Sequence, residues 1–175
     1  SGGAVTIPSA IAGKPVTTIG SSAFYNRSDL TSVTLPDTLT TIGGSAFWGC
    51  RALSGVLIPT SVTTISGSAF RDCTSLSSVV IPSSVTLIDS AVFYGCTALT
   101  AISVEADNPA YSSQGGVLFN KAATQLLQYP LGNAQAVYAV PSTVTNIARY
   151  AFAGARTLPS VVLPTTVTVL DMGAF

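Results

Sequence analysis

Apolar positions along this chain follow two periods, one short and one long. The short period is two: Val33-x-Leu35, Val56-x-Ile58, Val79-x-Ile81, Ile102-x-Val104 and Val161-x-Leu163 each alternate an apolar residue with an intervening position that is often small or polar, the pattern of a half-buried strand. The long period is 23. Phe24, Phe47, Phe70 and Phe93 are 23 apart, as are Phe152 and Phe175, and the step of 59 from Phe93 to Phe152 accommodates one further unit carrying an insertion. Pro36, Pro59 and Pro82, and again Pro141 and Pro164, keep the same spacing. Each Pro follows a strand-like pair and ends it, because proline has no N–H to donate to a ladder.

Within a unit the order of elements is then predicted. A Leu (Leu30, Leu53, Leu76, Leu99, Leu158) leads into the strand and its Pro. A second apolar pair follows at Leu39 and Ile42, Val62 and Ile65, Val85 and Ile88, Val144 and Ile147, and Val167 and Leu170. It reads as a short extended piece on the opposite wall. The segment Ser-Ala-Phe comes next and predicts a tight helical or 3₁₀ turn with Ala23, Ala46, Ala69, Ala151 and the Phe facing inward. One such coil cannot bury its own apolar set, so coils must stack, with equivalent positions about 4.8 Å apart. Seven strands follow in order from Val5-Thr6-Ile7 to Val161-Val162-Leu163. The chain, 1–175, is expected to form one solenoid with a parallel sheet on one face and an insertion over about 105–137. In that insertion, 116–120 is expected to pair with 125–129 as a hairpin across a polar turn at 121–124, entered through Gly115-Gly116.

The unit Ser-Ala-Phe-x-x-Cys-x-x-Leu-x-x-Val-x-Ile-Pro-x-x-Val-x-x-Ile, as at 68–88, closely resembles the BspA-like leucine-rich repeats of bacterial surface proteins. The insertion resembles the hairpin-bearing long repeat of the same family through Asn108-Pro109-Ala110-Tyr111, Gly116-Val117-Leu118-Phe119-Asn120-Lys121 and Leu126-Leu127-Gln128-Tyr129-Pro130. The chain departs from the pattern at 1–4, in the longer first coil around Gly13-Lys14-Pro15, and at Glu105, which replaces a strand-ending Pro. The resemblance implies a leucine-rich-repeat array of about seven coils, located outside the cell or on its surface, and an association with adhesion to host proteins or other cells. It implies no chemistry. The sequence stops inside a repeat at Phe175, as a fragment of a longer protein or an unusual cap would, and Ser1-Gly2-Gly3 reads as a processed or engineered start that says nothing about compartment.

Composition narrows the function classes. The chain is 47% hydrophobic and only 8% charged, with seven Lys plus Arg against seven Asp plus Glu. No basic cluster is present, so nucleic acid is not an expected partner. No apolar run reaches the length of about 18 residues that a spanning helix needs, so membrane insertion by this segment is not expected. His is absent, which removes Ser-His-Asp and Cys-His catalysis and the commonest metal ligand. Paired-carboxylate hydrolysis of glycosides requires two acids within about 5–9.5 Å of each other. Asp29, Asp37, Asp72 and Asp89 fall at differing phases of the coil, and only Glu105, Asp107 and Asn108 are grouped; these read as loop-capping residues rather than ligands. Cys50, Cys73 and Cys96 share one phase of the repeat and predict a column of buried free thiols, not a metal site or a disulfide. No catalytic residue, metal ligand or cofactor site is expected, and no cofactor is implied.

Two surfaces remain for binding. The outward stripe of the sheet includes Thr34, Leu57, Val80, Ser103 and Val162, with Leu57 and Val80 on adjacent rungs. A nearly uncharged, small-residue face of this kind suits a protein strand or a flat polymer. Tyr25, Trp48 and Tyr94 each follow a ladder Phe by one, with Arg71 in the same row, and form a candidate aromatic edge for a protein or a sugar ring. The sequence is therefore read as a non-catalytic interaction or adhesion module whose partner is a protein or glycan on a host or neighbouring cell. A structural spacer repeat in a larger surface protein is the alternative, and a carbohydrate-active enzyme stands behind both.

Overall fold

Every strand of the repeat is short because each coil must turn within 23 residues. The computed structural model describes residues 3–175 and contains no helix among them. One wall carries Gly3–Thr6, Leu30–Thr34, Gly55–Val56, Ser78–Ile81, Ala101–Val104, Val137–Ala139 and Ser160–Val162. These are the seven strands expected from the repeat. Their hydrogen-bonded ladder is not continuous. It divides into a piece of three strands, a piece of two and a final piece of two, all internally parallel. The opposite wall is built from two-residue strands, Thr18–Ile19, Thr41–Ile42, Thr64–Ile65 and Leu87–Ile88, in parallel register with Ile19, Ile42, Ile65 and Ile88 stacked.

The turn around Ser-Ala-Phe is not a helix. Its N–H groups alternate: Ala46 and Trp48 donate within the coil to Gly43 and Ser45, whereas Ser45, Phe47 and Gly49 donate along the stack to the carbonyls of Gly67, Ala69 and Arg71. Two left-handed residues per turn accompany the alternation. Ser22, Ser45, Ser68, Ala91 and Tyr150 occupy one such position with φ between 55° and 63°, and Asn26, Gly49, Asp72, Gly95 and Gly154 occupy the next. Left-handed backbone at these two positions, four residues apart, prevents a continuous run of i→i−4 bonds, and alternate donors of the turn reach the next coil instead. Ala46, Ala69 and Ala151 are buried as expected, but Ala23, in the first described coil, is exposed. The Phe side chains stack face to face, with centroids 5.1, 5.3 and 5.9 Å apart from Phe24 to Phe93 and interplanar angles of 6°, 3° and 6°.

The scarcity of charge follows from the same architecture. Hydroxyls substitute for ion pairs between coils: Thr38, Ser61, Ser84 and Thr166 donate to the carbonyls of Val16, Leu39, Val62 and Val144, and Ser77 and Thr100 donate to those of Ser54 and Ser77. Such bonds satisfy backbone acceptors at little side-chain entropy cost.

The insertion is built into the array rather than projecting from it. Val117–Asn120 pairs antiparallel with Gln125–Gln128, close to the expected bounds, and Asn120 Oδ1 closes the turn by accepting the N–H of Thr124 and Gln125. A further strand, Tyr111–Gln114, pairs with Val117–Asn120 through the Gly115-Gly116 turn, both residues having positive φ. Gln125–Gln128 then takes the place of a rung on the opposite wall, parallel to Asn146–Ile147 and, beyond it, Val169–Leu170. The core splits at this point. Residues from Ile19 to Leu118 form one buried cluster and residues from Val117 to Ala174 form another, with Tyr129 replacing Phe at the head of a second aromatic stack, Tyr129–Phe152–Phe175.

Candidate functional site

Strand register places four of the candidate sheet-face residues in one row. Leu30–Thr34 and Gly55–Val56 pair through Val33 and Val56, which sets Thr34 beside Leu57, and Val80 pairs directly with Ser103. All four point outward and are exposed. Val162 is also exposed but sits on the last piece of the ladder, beside Ala139 and beyond the insertion. The break between Gly55–Val56 and Ser78–Ile81 falls between Leu57 and Val80, where a shallow groove of about 240 Å³ opens. Leu57 is 83% exposed and Val80 49%, while Val79 and Ile81 on the reverse of the same strand are buried. Glu105 stands at the rim, and its Oε2 accepts the N–H of Ser83 at 2.7 Å, a contact that the usual Pro at its position would not make.

The aromatic edge is a connected ladder. Tyr25 meets Trp48 edge-on at 5.4 Å, the Arg71 guanidinium lies 4.4 Å from the Trp48 ring and 4.5 Å from Tyr94, and Tyr94 meets Tyr150 edge-on at 5.4 Å. Trp48 Nε1 donates to Asp72 Oδ2 at 3.0 Å. Arg71 is thus clamped between two rings, an arrangement that favours a weakly hydrated guanidinium. Both Trp48 and Tyr94 are half-buried and much of their face is already covered; Tyr25 is the exposed member.

Cys50, Cys73 and Cys96 are free and buried, as their shared phase suggested. Each thiol donates to a carbonyl 26 residues earlier, Phe24, Phe47 or Phe70, at 3.1 Å. Burial pushes Cys50 up to about 11 and Cys96 up to about 12, and raises Cys73 as well, which leaves thiols rather than nucleophilic thiolates at neutral pH. Asn108 is fully buried and wholly occupied by backbone: Nδ2 donates to the carbonyls of Pro82 and Val85, and Oδ1 accepts from Ala110 and Tyr111. It caps the loop, as expected of the Glu105, Asp107 and Asn108 group.

The BspA type leucine rich repeat region matches residues 4–114 and 135–175 of this chain in six copies. The chain belongs to this family. Bacterial proteins of known structure share its fold. The structure of the pneumococcal vaccine antigen PcpA is similar with a TM-score of 0.85 at 27% identity, over 96% of this chain and 47% of that one. A leucine-rich repeat protein from Eubacterium ventriosum is similar with a TM-score of 0.80 at 28% identity, over 98% and 50%. A leucine rich cell surface protein from Faecalibacterium prausnitzii follows this chain over its full length and 66% of its own, with a TM-score of 0.65 at 25% identity. This chain spans about half the length of the first two. No curated protein matches it. Among the described residues no helix is long and apolar enough to cross a membrane.

This BspA-type array also holds a concavity that the repeat pattern did not reveal. Where the opposite wall is interrupted, a cleft of about 240 Å³ opens between the turn at 88–93 and the coil rebuilt by Gln125–Gln128. Asp89, Arg149 and Asp171 line it together with apolar Ile88, Val92 and Leu127. The Tyr111 hydroxyl enters the same interruption and accepts the N–H of Ile88 at 2.7 Å, which a carbonyl of the following rung accepts in a regular parallel wall. The one signal in the sequence was the 59-residue step, which marks an insertion without showing that its strands displace a rung.

Proposed function

We propose that this BspA-type array is a non-catalytic interaction module of a secreted or surface-exposed bacterial protein, and that it binds a partner protein through the groove between Leu57 and Val80. The observation that carries this reading is the groove itself. The most exposed large apolar side chain among the described residues stands where the sheet ladder is interrupted, in a row with Thr34, Val80 and Ser103. Burying Leu57 contributes about 1.5–3 kcal/mol and Val80, already half covered, about half as much, enough to anchor an interface. The likeness to a vaccine antigen and to a cell surface protein supports a surface location.

The test is to screen the purified chain against a panel of host matrix proteins and a glycan array. Leu57→Lys/Val80→Lys is then compared with the parent at low and high salt. Both substitutions leave the buried neighbours Ile58, Val79 and Ile81 intact, so the fold is expected to persist while affinity falls about tenfold or more. The parent's affinity should change little with salt. If the double variant binds as the parent does while Trp48→Ala does not, the aromatic edge of Tyr25, Trp48 and Tyr94 is the binding surface instead, with a glycan as its natural ligand. If nothing on either panel is bound, the spacer reading takes its place.

A further inference from the structure

The turn column gives each coil a set of donors aimed at the next coil. Ser22, Phe24 and Asn26 donate to the carbonyls of Gly44, Ala46 and Trp48; Ser45, Phe47 and Gly49 to those of Gly67, Ala69 and Arg71; Ser68, Phe70 and Asp72 to those of Ser90, Val92 and Tyr94. The next set breaks the sequence. The N–H groups of Ala91, Phe93 and Gly95 donate to no acceptor among the described residues, although Ala91 keeps the left-handed φ of 60° seen at this position in the other coils. Their regular partner on the following coil would be the backbone just before Tyr129. Gln128 is instead drawn into antiparallel pairing with Leu118 of the inserted hairpin. Of these, Ala91 and Phe93 line the cleft at the seam.

The far wall supplies the complementary group. Gln128 is 5% exposed, and its Nε2 is fixed by the carbonyls of Tyr129 at 3.0 Å and Ala151 at 3.2 Å. That assignment leaves Oε1 as the free end, without a donor, on a residue that lines the cleft. A ligand that pairs this oxygen and the two N–H groups makes hydrogen bonds that the fold itself leaves unmade. In the regular coils each of these donors takes a separate carbonyl from alternate residues of the neighbouring chain, which a single carboxylate with its oxygens about 2 Å apart does not reproduce.

We propose that the seam cleft binds an extended polypeptide segment, whose alternate carbonyls take the Ala91 and Phe93 donors and whose intervening N–H meets Gln128 Oε1, so that the guest completes the missing rung. The charges at the mouth choose its character. Asp89 and Asp171 make no ion pair among the described residues, whereas Arg149 is turned to Tyr150, donating to its hydroxyl at 3.1 Å with the guanidinium 4.9 Å from the ring. The guest is therefore a β-competent segment with small or apolar side chains and a flanking Lys or Arg.

Amide hydrogen exchange by NMR on the full chain tests this directly, with the blocked peptide Ac-Lys-Val-Thr-Val-Lys-NH₂ as probe and Ac-Gln-Val-Thr-Val-Gln-NH₂ beside it. In the free protein the Ala91 and Phe93 amides should exchange at least tenfold faster than those of Phe47 and Phe70. The basic peptide should slow both at least tenfold and shift the Gln128 side-chain signals. Asp89→Lys, a substitution at an exposed side chain, should weaken the basic peptide at least fivefold and leave the neutral one unchanged. Leu57→Lys/Val80→Lys should alter neither, which separates this site from the sheet-face groove. The proposal is overturned if the two amides are already as protected as Phe70 in the free chain. It is equally overturned if millimolar peptide leaves them unmoved, or if acetate or free lysine reproduces the protection.

Discussion

The left-handed column alternates an Asx side chain with glycine, Asn26, Gly49, Asp72, Gly95, and the alternation makes a sharp prediction at Gly95. Replacing Gly95 with Ala forces an L side chain into a φ of 75°, for about 1–2 kcal/mol. The new Cβ would also run into Asp72 Oδ1, with Cγ only 3.1 Å away. Asp72 cannot yield freely, because its other oxygen holds Trp48 Nε1. Losing a hydrogen bond to a charged group costs about 1.5–3 kcal/mol when buried; here the lower part of that range applies, since the Asp72 side chain is 36% exposed. Gly95→Ala is therefore expected to cost about 2–4 kcal/mol in total. Trp48 is the single tryptophan, so denaturant unfolding followed by its emission reports both stability and the local contact. In an Asp72→Ala background only the backbone cost should remain, leaving a coupling of about 1–2 kcal/mol in the double-mutant cycle. Gly55→Ala is the control: a Cβ there has nothing within 4 Å and should be nearly neutral. Additivity of Gly95→Ala and Asp72→Ala to within about 0.5 kcal/mol would refute the argument, as would unchanged Trp48 emission in Gly95→Ala.

Three further outcomes are expected. Phe70→Ala, in the fully buried aromatic stack, should cost about 3–5 kcal/mol, whereas Phe175→Ala, at 57% exposure, should cost less than about 1; equal losses in thermal unfolding would contradict the packing account. The buried thiols retain protons that the unfolded chain releases above an ordinary pKa of 9.0, so their contribution to stability is intact below about pH 9 and is lost as pH climbs towards 11; replacing all three cysteines with Ala should flatten that decline, and an unaltered slope would rule it out. Asn108→Asp places a carboxylate against the carbonyls of Pro82 and Val85 and should destabilise at pH 7 by at least the 2 kcal/mol or so expected of Asn108→Ala, with partial recovery in acid; a variant as stable as the parent would show that the cap is dispensable.

Phe24 to Phe93, Pro36 to Pro82 and the paired apolar positions made the coil legible, because a stacked repeat buries the same phase in every unit and the sequence displays that phase directly. The cysteine column and the Asn108 cap were legible for the same local reason. What the repeat does not encode is how neighbouring coils share hydrogen bonds. Ser45 and Ala91 look unsuited to left-handed backbone, and only the stack, by accepting their N–H groups or failing to, gives that conformation its purpose. The break between Leu57 and Val80 and the cleft at Gln128 are properties of register between coils, and no single coil carries them. Trp48 and Tyr94 presented themselves as an exposed edge from their phase alone; the intervening Arg71, in the same row, is what draws them partly inward.

The split core has a mechanical meaning. In a regular solenoid each coil is held by the same stack of aromatic rings and the same wall of β-bridges, so cooperativity passes from coil to coil without a weak link. Here the ring stack stops at Phe93 and restarts at Tyr129, and the opposite wall stops at Ile88 and restarts at Leu126. From two core clusters joined by the hairpin we expect two adjoining melting units, the Val117-to-Ala174 part opening under tension or heat while the coils before it stay closed. The hairpin would then act as a fuse, confining a rupture to one side of the array.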